Sequence, residues 1–225
     1  MTVRVILTDI EGTTTSIDFV HQVLFPYASR MLPEFVRRHQ HDDEVAEILQ
    51  DARAAAGEPD ASLDRLIETL QTWIAEDRKV TALKALQGHI WRHGYENGDF
   101  TGHVYEDAAA CMRRWHADGI SLYVYSSGSV AAQKLLFGHS DAGDLTPLFD
   151  GYFDTRIGHK READSYRAIV AETGVEAGDI LFLSDVAEEL DAAAIAGLQT
   201  VQLVRDEQVE PGTHRIAHDF AELEL

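Results

Sequence analysis

Apolar residues are spaced in two ways along this chain. Residues 3–7 form a short β-branched and apolar run broken only by Arg4, the pattern of a strand buried on both faces. From about 17 to 98 the spacing turns helical, with almost no strand signal. Asp18 can open a helix through Phe19, Val20, Val23 and Leu24, and Pro26 is expected to interrupt it. A second helix then starts near Tyr27 and carries Met31, Phe35 and Val36. Asp42 and Asp43 begin a third, with Val45, Ile48 and Leu49 on one face and a stop at Ala56-Gly57. Ser62 or Asp60 opens a fourth, with Leu63, Leu66, Ile67, Leu70 and Ile74 at helical spacing. A fifth runs from about Thr81 through Leu83, Leu86, Ile90 and Trp91.

Strand and helix signals then alternate. Helices are expected over 105–118, 129–137, 162–173 and 188–196, and strands over 120–125, 149–153, 180–183 and 199–204. Such alternation implies a parallel sheet with right-handed crossovers. The expected architecture is an α/β, Rossmann-like core made of 1–15 and 104–225, with a helical cap over 16–103 inserted after the first strand. An insert at that point is placed to act as a lid over the carboxyl ends of the strands. The tail after Asp206 is polar and ends in Phe220-Ala221-Glu222-Leu223, with no readable element.

Composition narrows the partners. The chain has 225 residues and is 45% hydrophobic, enough for a sizeable core. Its formal net charge of -20 argues against nucleic acid or an anionic membrane as main partner. The same field would repel a phosphorylated substrate, so a phosphate site here needs a local lysine, backbone N–H groups and a cation. Cys111 is the single cysteine, which excludes an intramolecular disulfide and a cysteine-based zinc site. No basic segment leads into an apolar one, and no apolar run could span a bilayer, so a soluble, cytoplasmic chain is expected.

The first strand runs into Asp9-Ile10-Glu11-Gly12-Thr13-Thr14, two carboxylates beside a turn that glycine suits. Ligands of open α/β sheets bind at such strand ends. Asp9 is the candidate nucleophile, able to attack phosphorus and form an aspartyl phosphate. Glu11 is the candidate acid/base for the leaving oxygen and then for water. Ser126-Ser127-Gly128-Ser129 follows the next strand and opens a helix, which suits an anionic oxygen, although such turns also serve simply as helix caps. Lys160, in Gly158-His159-Lys160-Arg161, could neutralise phosphate charge, although most lysines are solvated surface groups. Leu181-Phe182-Leu183-Ser184-Asp185 is an apolar strand ending in a carboxylate. Beside Asp9 it would make a hard, oxygen-only site suited to Mg²⁺; taken alone, Asp185 is equally a helix N-cap.

Together, Asp9-Ile10-Glu11-Gly12-Thr13, Ser126, Lys160 and Asp185 resemble the four motifs of the haloacid dehalogenase-like phosphohydrolases. Most of those phosphatases have aspartate where this chain has Glu11. That departure, with Asp9–Thr15, Gly151-Tyr152-Phe153-Asp154-Thr155 and Ile157-Gly158-His159-Lys160, resembles the enolase-phosphatase (acireductone synthase) branch. The resemblance implies a monomeric Mg²⁺ enzyme of methionine salvage, acting on the small phosphorylated diketone 2,3-diketo-5-methylthiopentyl-1-phosphate. It further implies that Asp9 and Asp185 bind one Mg²⁺ through side chains and Glu11 through its backbone carbonyl. Ser126, Ser127 and Lys160 would contact the substrate. Glu189 sits where many relatives carry a further metal-site acid.

Two rival readings stand beside this one. One is an ordinary phosphatase of the same fold without enolisation, and the other a non-catalytic, metal-binding interaction protein; a metal-independent dehalogenase is more remote. His89 and His93 have a spacing that can bind zinc, but no third ligand is evident. Phe19, Phe25, Trp91 and Tyr95 could line a pocket for the methylthio group or simply form the core of the helical unit.

Overall fold

The computed structural model describes residues 2–76, 78–206 and 209–225. Six strands form one all-parallel sheet: β1 (Val5–Thr8), β2 (Ser121–Tyr125), β3 (Gly151–Phe153), β4 (Ile180–Ser184), β5 (Gln199–Leu203) and β6 (Arg215–Ala217). Their order is β3-β2-β1-β4-β5-β6. β1 is central, with Val5 opposite both Ser121 and Ile180. All four of its residues are buried, as expected of a strand covered on both faces. Because the strands run the same way, the segments that follow β1, β2 and β4 emerge side by side.

Helices α6 (Glu106–Ala117), α7 (Val130–Gly138), α8 (Ala163–Thr173) and α9 (Ala187–Ile195) alternate with these strands. Val5, Leu7, Tyr166, Ile169, Phe182 and Leu190 form one core between sheet and helices. β6 is the element the sequence pattern did not announce. Its three residues are too few to show alternation, and only Ala217 is buried. After it Phe220 is fully buried and stacks on Trp115 with ring centroids 5.5 Å apart, so the tail belongs to the core.

The chain divides into two compact units, one of residues 1–17 and 101–225, the other of 18–100. The second is helical: α2 (Phe25–His39), α3 (Asp43–Ala56), α4 (Leu63–Ala75) and α5 (Thr81–Asn97). Leu32, Val36, Leu49, Leu66, Leu70, Trp73 and Leu86 meet in its core. Ser62 caps α4 by accepting from the Arg65 N–H at 3.3 Å, and Gly57 ends α3 in the left-handed region.

The expected break near Pro26 is absent. The helix begun by α1 (Ile17–Phe19) continues through a π-type turn, Val20–Leu24, directly into α2. The Phe25 N–H reaches back five residues to the Val20 carbonyl, and Pro26, which has no N–H to donate, follows directly after that wider turn. The Trp91 indole donates to the Leu24 carbonyl at 2.9 Å and helps hold that junction. Among the described residues, no helix is long and apolar enough to cross a membrane.

Candidate active site

The loop after β1 folds tightly on itself. The N–H groups of Thr13, Thr14 and Thr15 all donate to the Ile10 carbonyl, at 3.2, 3.0 and 2.9 Å, while the Gly12 N–H donates to the Thr15 carbonyl. Gly12 has φ +70, and a Cβ there would collide with the Asp185 carboxylate. Glycine is therefore required twice, for backbone angle and for contact with the end of β4. The hydroxyls of Thr8 and Thr14 both donate to the Asp9 carbonyl.

That loop aims Asp9 inward. Its side chain is 4% exposed, and its Oδ1 accepts from the Ile10 N–H at 2.7 Å and from Lys160 Nζ at 2.6 Å. Lys160 also meets Glu189 Oε2 at 2.6 Å, and Ser184 donates to the same oxygen at 3.0 Å. The lysine reaches this point because three hydroxyls hold successive carbonyls of its loop. Tyr125 donates to Gly158 at 3.0 Å, Ser165 to His159 at 2.8 Å and Tyr166 to Lys160 at 2.6 Å.

Ser126 is fully buried and donates to Glu11 Oε2 at 3.3 Å, while its Oγ accepts from the Gly128 N–H. Ser129, not Ser126, caps α7, by accepting from the Ala132 N–H. Gln133 braces the same turn, donating to the carbonyls of Gly128 and Phe153. Asp154 accepts from the Val130 N–H and pairs with Arg156.

The structure thus gathers Asp9, Glu11, Ser126, Lys160 and Asp185 at adjacent strand ends. Ser127 is exposed on its turn, away from the buried cluster. Asp185 is not a helix cap, since Val186 holds that position in α9. Of the two acids that follow, Glu188 is exposed and Glu189 turns inward. His93 pairs with Asn97 and His89 faces Glu44 at 3.8 Å, both within the helical unit. Phe19 and Tyr95 lie against Phe100, and Phe25 stacks on Trp91.

Charge is unbalanced here, with four carboxyl groups, Asp9, Glu11, Asp185 and Glu189, around one ammonium among the described residues, that of Lys160. Burial, then the charge of Asp9, pushes the Asp185 carboxyl up to about 7. The same two causes raise Glu11 and Glu189. Burial works against the charge on Lys160, but Asp9 and Glu189 outweigh it and hold the ammonium above its ordinary value. A cluster that resists carrying its full negative charge is one that a hard cation would relieve. Among the described residues, no group of three or more His, Cys, Asp or Glu side chains is arranged as a metal cage. Two carboxylates plus a backbone carbonyl would not form such a group, so the donor set still fits Mg²⁺.

Residues 3–197 match the haloacid dehalogenase-like hydrolase family. The chain is 57% identical over 223 residues to enolase-phosphatase E1 of Marinobacter nauticus, covering 99% of this chain and 97% of that protein. It is 60% identical over 219 residues to enolase-phosphatase E1 of Thioalkalivibrio sulfidiphilus, covering 97% of each. Among solved structures, the UTR4 protein of Saccharomyces cerevisiae aligns with a TM-score of 0.84 at 36% identity, covering 99% of this chain and 100% of that one. CbbY of Rhodobacter sphaeroides, solved with phosphate, shares the fold at 18% identity and a TM-score of 0.63, over 98% of this chain and 96% of that one. With the strand-end acids, the buried lysine and Glu11 in place of the usual aspartate, these likenesses place the chain in the enolase-phosphatase E1 family of the haloacid dehalogenase-like hydrolases.

Proposed function

We propose that the chain converts 2,3-diketo-5-methylthiopentyl-1-phosphate to the acireductone 1,2-dihydroxy-3-keto-5-methylthiopentene and phosphate, in methionine salvage. The observation that carries this reading is Asp9 held against Lys160 at 2.6 Å, two residues before Glu11 on the same turn.

Asp9 is the nucleophile toward phosphorus, and its bonds to Lys160 and the Ile10 N–H fix the direction of attack. Glu11, with its carboxyl raised by burial and by Asp9, is the proton donor to the leaving oxygen and then the acceptor from water. Ser126 orients Glu11 and presents its hydroxyl to the phosphate, and Ser127 offers a second hydroxyl from the exposed side of the turn. Lys160 neutralises phosphoryl charge, and Glu189 holds the lysine in place. Asp9 and Asp185 through their carboxylates, and Glu11 through its carbonyl, would hold one Mg²⁺. When bound, that ion offsets the repulsion between phosphate and carboxylates and stabilises negative charge on the diketone oxygens. The helical unit 18–100 is the cap of this reading, and the protein works as a monomer in the cytoplasm.

The test is phosphate release from the diketo phosphate, with and without Mg²⁺, while the ultraviolet absorbance of the conjugated enol is followed. Release with an enol signal, both lost on chelation, is expected. Release only from simple esters, without an enol signal, would remove the substrate assignment and leave the Asp9 chemistry standing.

A further inference from the structure

We propose that Arg205 is a positioning residue for the loop that carries Glu11. It lies 192 residues beyond Thr13 in sequence, yet its Nε donates to the Thr13 carbonyl at 3.0 Å. The rest of that loop is held mostly from within, by N–H groups converging on the Ile10 carbonyl. The carbonyls of Thr13 and Thr14 face the other way. Arg205 takes the first, and the Tyr105 N–H takes the second at 2.9 Å.

Those two donors belong to one assembly. The Arg205 side chain is 6% exposed, and its Nη1 pairs with Asp107 Oδ1 at 2.8 Å. The guanidinium lies over the Tyr105 ring at 4.2 Å and the Phe220 ring at 5.2 Å. The second oxygen of Asp107 accepts from the Phe220 N–H at 2.8 Å. The start of α6, the end of β5 and the chain's tail therefore converge on one guanidinium, whose Nε grips the loop that carries Glu11.

A role in packing alone does not explain this arrangement. Arg205 Nη2 is buried with no hydrogen-bond partner among the described residues. Leaving a buried donor unmet is costly, and an apolar side chain between two aromatic rings would avoid that cost. The arginine gains instead the direction of its fork, with Nε fixed toward Thr13 once Nη1 is fixed on Asp107. Thr13 follows Gly12, the residue pressed against Asp185, and Glu11 comes just before. A turn of the Thr13 peptide thus moves the backbone that aims Glu11, while Ser126 and Lys160 keep their own supports.

This inference rests on the reading that Asp9 and Glu11 perform the chemistry, so its test uses two substrates, the diketo phosphate and a simple aryl phosphate. Arg205→Lys keeps a cation opposite Asp107 but cannot reach both partners with one rigid fork. Its kcat is expected to fall about tenfold to a hundredfold on both substrates, the cost of a small misplacement. KM should stay unchanged, because the phosphate-binding groups are not moved. Arg205→Ala should show the same kcat loss, with partial recovery when low guanidinium is added, since that ion can refill the vacated space. All assays are run well below each variant's thermal midpoint. Wild-type kcat in Arg205→Lys overturns the proposal, as does a raised KM with unchanged kcat. Should Arg205→Ala fail to fold, Arg205→Lys decides alone. If the wild-type protein turns over neither ester, the Asp9–Glu11 reading falls and takes this inference with it. Wild-type turnover with unaffected variants removes this inference only.

Discussion

Lys160 and Arg205 are both buried cations that hold the segment after β1, and their surroundings differ. Lys160 stands among an excess of carboxyl groups, and Asp185, Glu11 and Glu189 all resist ionising there. Arg205 pairs with Asp107. Burial opposes the charge on Asp107, yet Arg205 and the Phe220 N–H together hold its carboxyl below the ordinary value. One cluster is left short of positive charge, which a hard cation would supply. The other is balanced, ringed by aromatics and closed. The contrast separates a place where charge is stored for chemistry from one where it fixes geometry.

The contrast breaks most visibly in activity. Asp9→Asn should reduce phosphate release by at least about 10⁴-fold, as loss of a covalent nucleophile does elsewhere. Glu11→Gln should lower kcat by about 10²–10⁴-fold, the range of a lost general acid/base. Steady-state kinetics with circular dichroism checks both, and a folded, active Asp9→Asn would remove the nucleophile.

The grouping of these candidate residues was legible because strand ends are legible. An apolar run that stops at a carboxylate marks itself at Asp9 and at Asp185, and the matching strands lie next to each other in the sheet. The boundaries of α3 and α4 follow from Gly57 and Ser62, which carry their own conformational signals. Arg205 was not legible. Nothing local distinguishes an arginine after β5 from a solvated one, and its partners Thr13, Asp107 and Phe220 are distant in sequence. Tyr125, Ser165 and Tyr166 escaped for the same reason, since a hydroxyl aimed at a distant carbonyl leaves no periodic trace. At Pro26 the pattern misled, because a π-type turn let the helix continue.

Arg205→Ala strands a largely buried carboxylate and should cost about 3–5 kcal/mol, and Asp107→Asn about 1–3 kcal/mol, measured by denaturant unfolding. Asp185→Asn should do the reverse in metal-free protein. It removes a carboxyl that burial and Asp9 disfavour, for a gain of about 1 kcal/mol. That corresponds to a thermal midpoint about 2–4 °C higher in a chain of this size. Added Mg²⁺ should raise the midpoint of the wild-type protein and leave that of Asp185→Asn unmoved. A midpoint lowered by Asp185→Asn would contradict the account of stored charge.

The smallest effect lies in acid. Asp107 is held below the ordinary value of 3.8, so its pairing stabilises the fold above that value and is lost as pH falls through the lower folded one. Denaturant midpoints measured downward from pH 5 should show a drop in the wild-type protein that Asp107→Asn lacks. Equal slopes would mean that the pair adds nothing to stability.

The most direct test of the central claim is a single-turnover, acid-quenched reaction with the diketo phosphate, followed by mass spectrometry of the digested protein. A phosphoryl group is expected on the peptide that contains Asp9, rising and then decaying as phosphate appears, and absent from Asp9→Asn. Phosphate released in the first turnover with no protein-bound phosphoryl group at any quench time, or one carried on another residue, would contradict it.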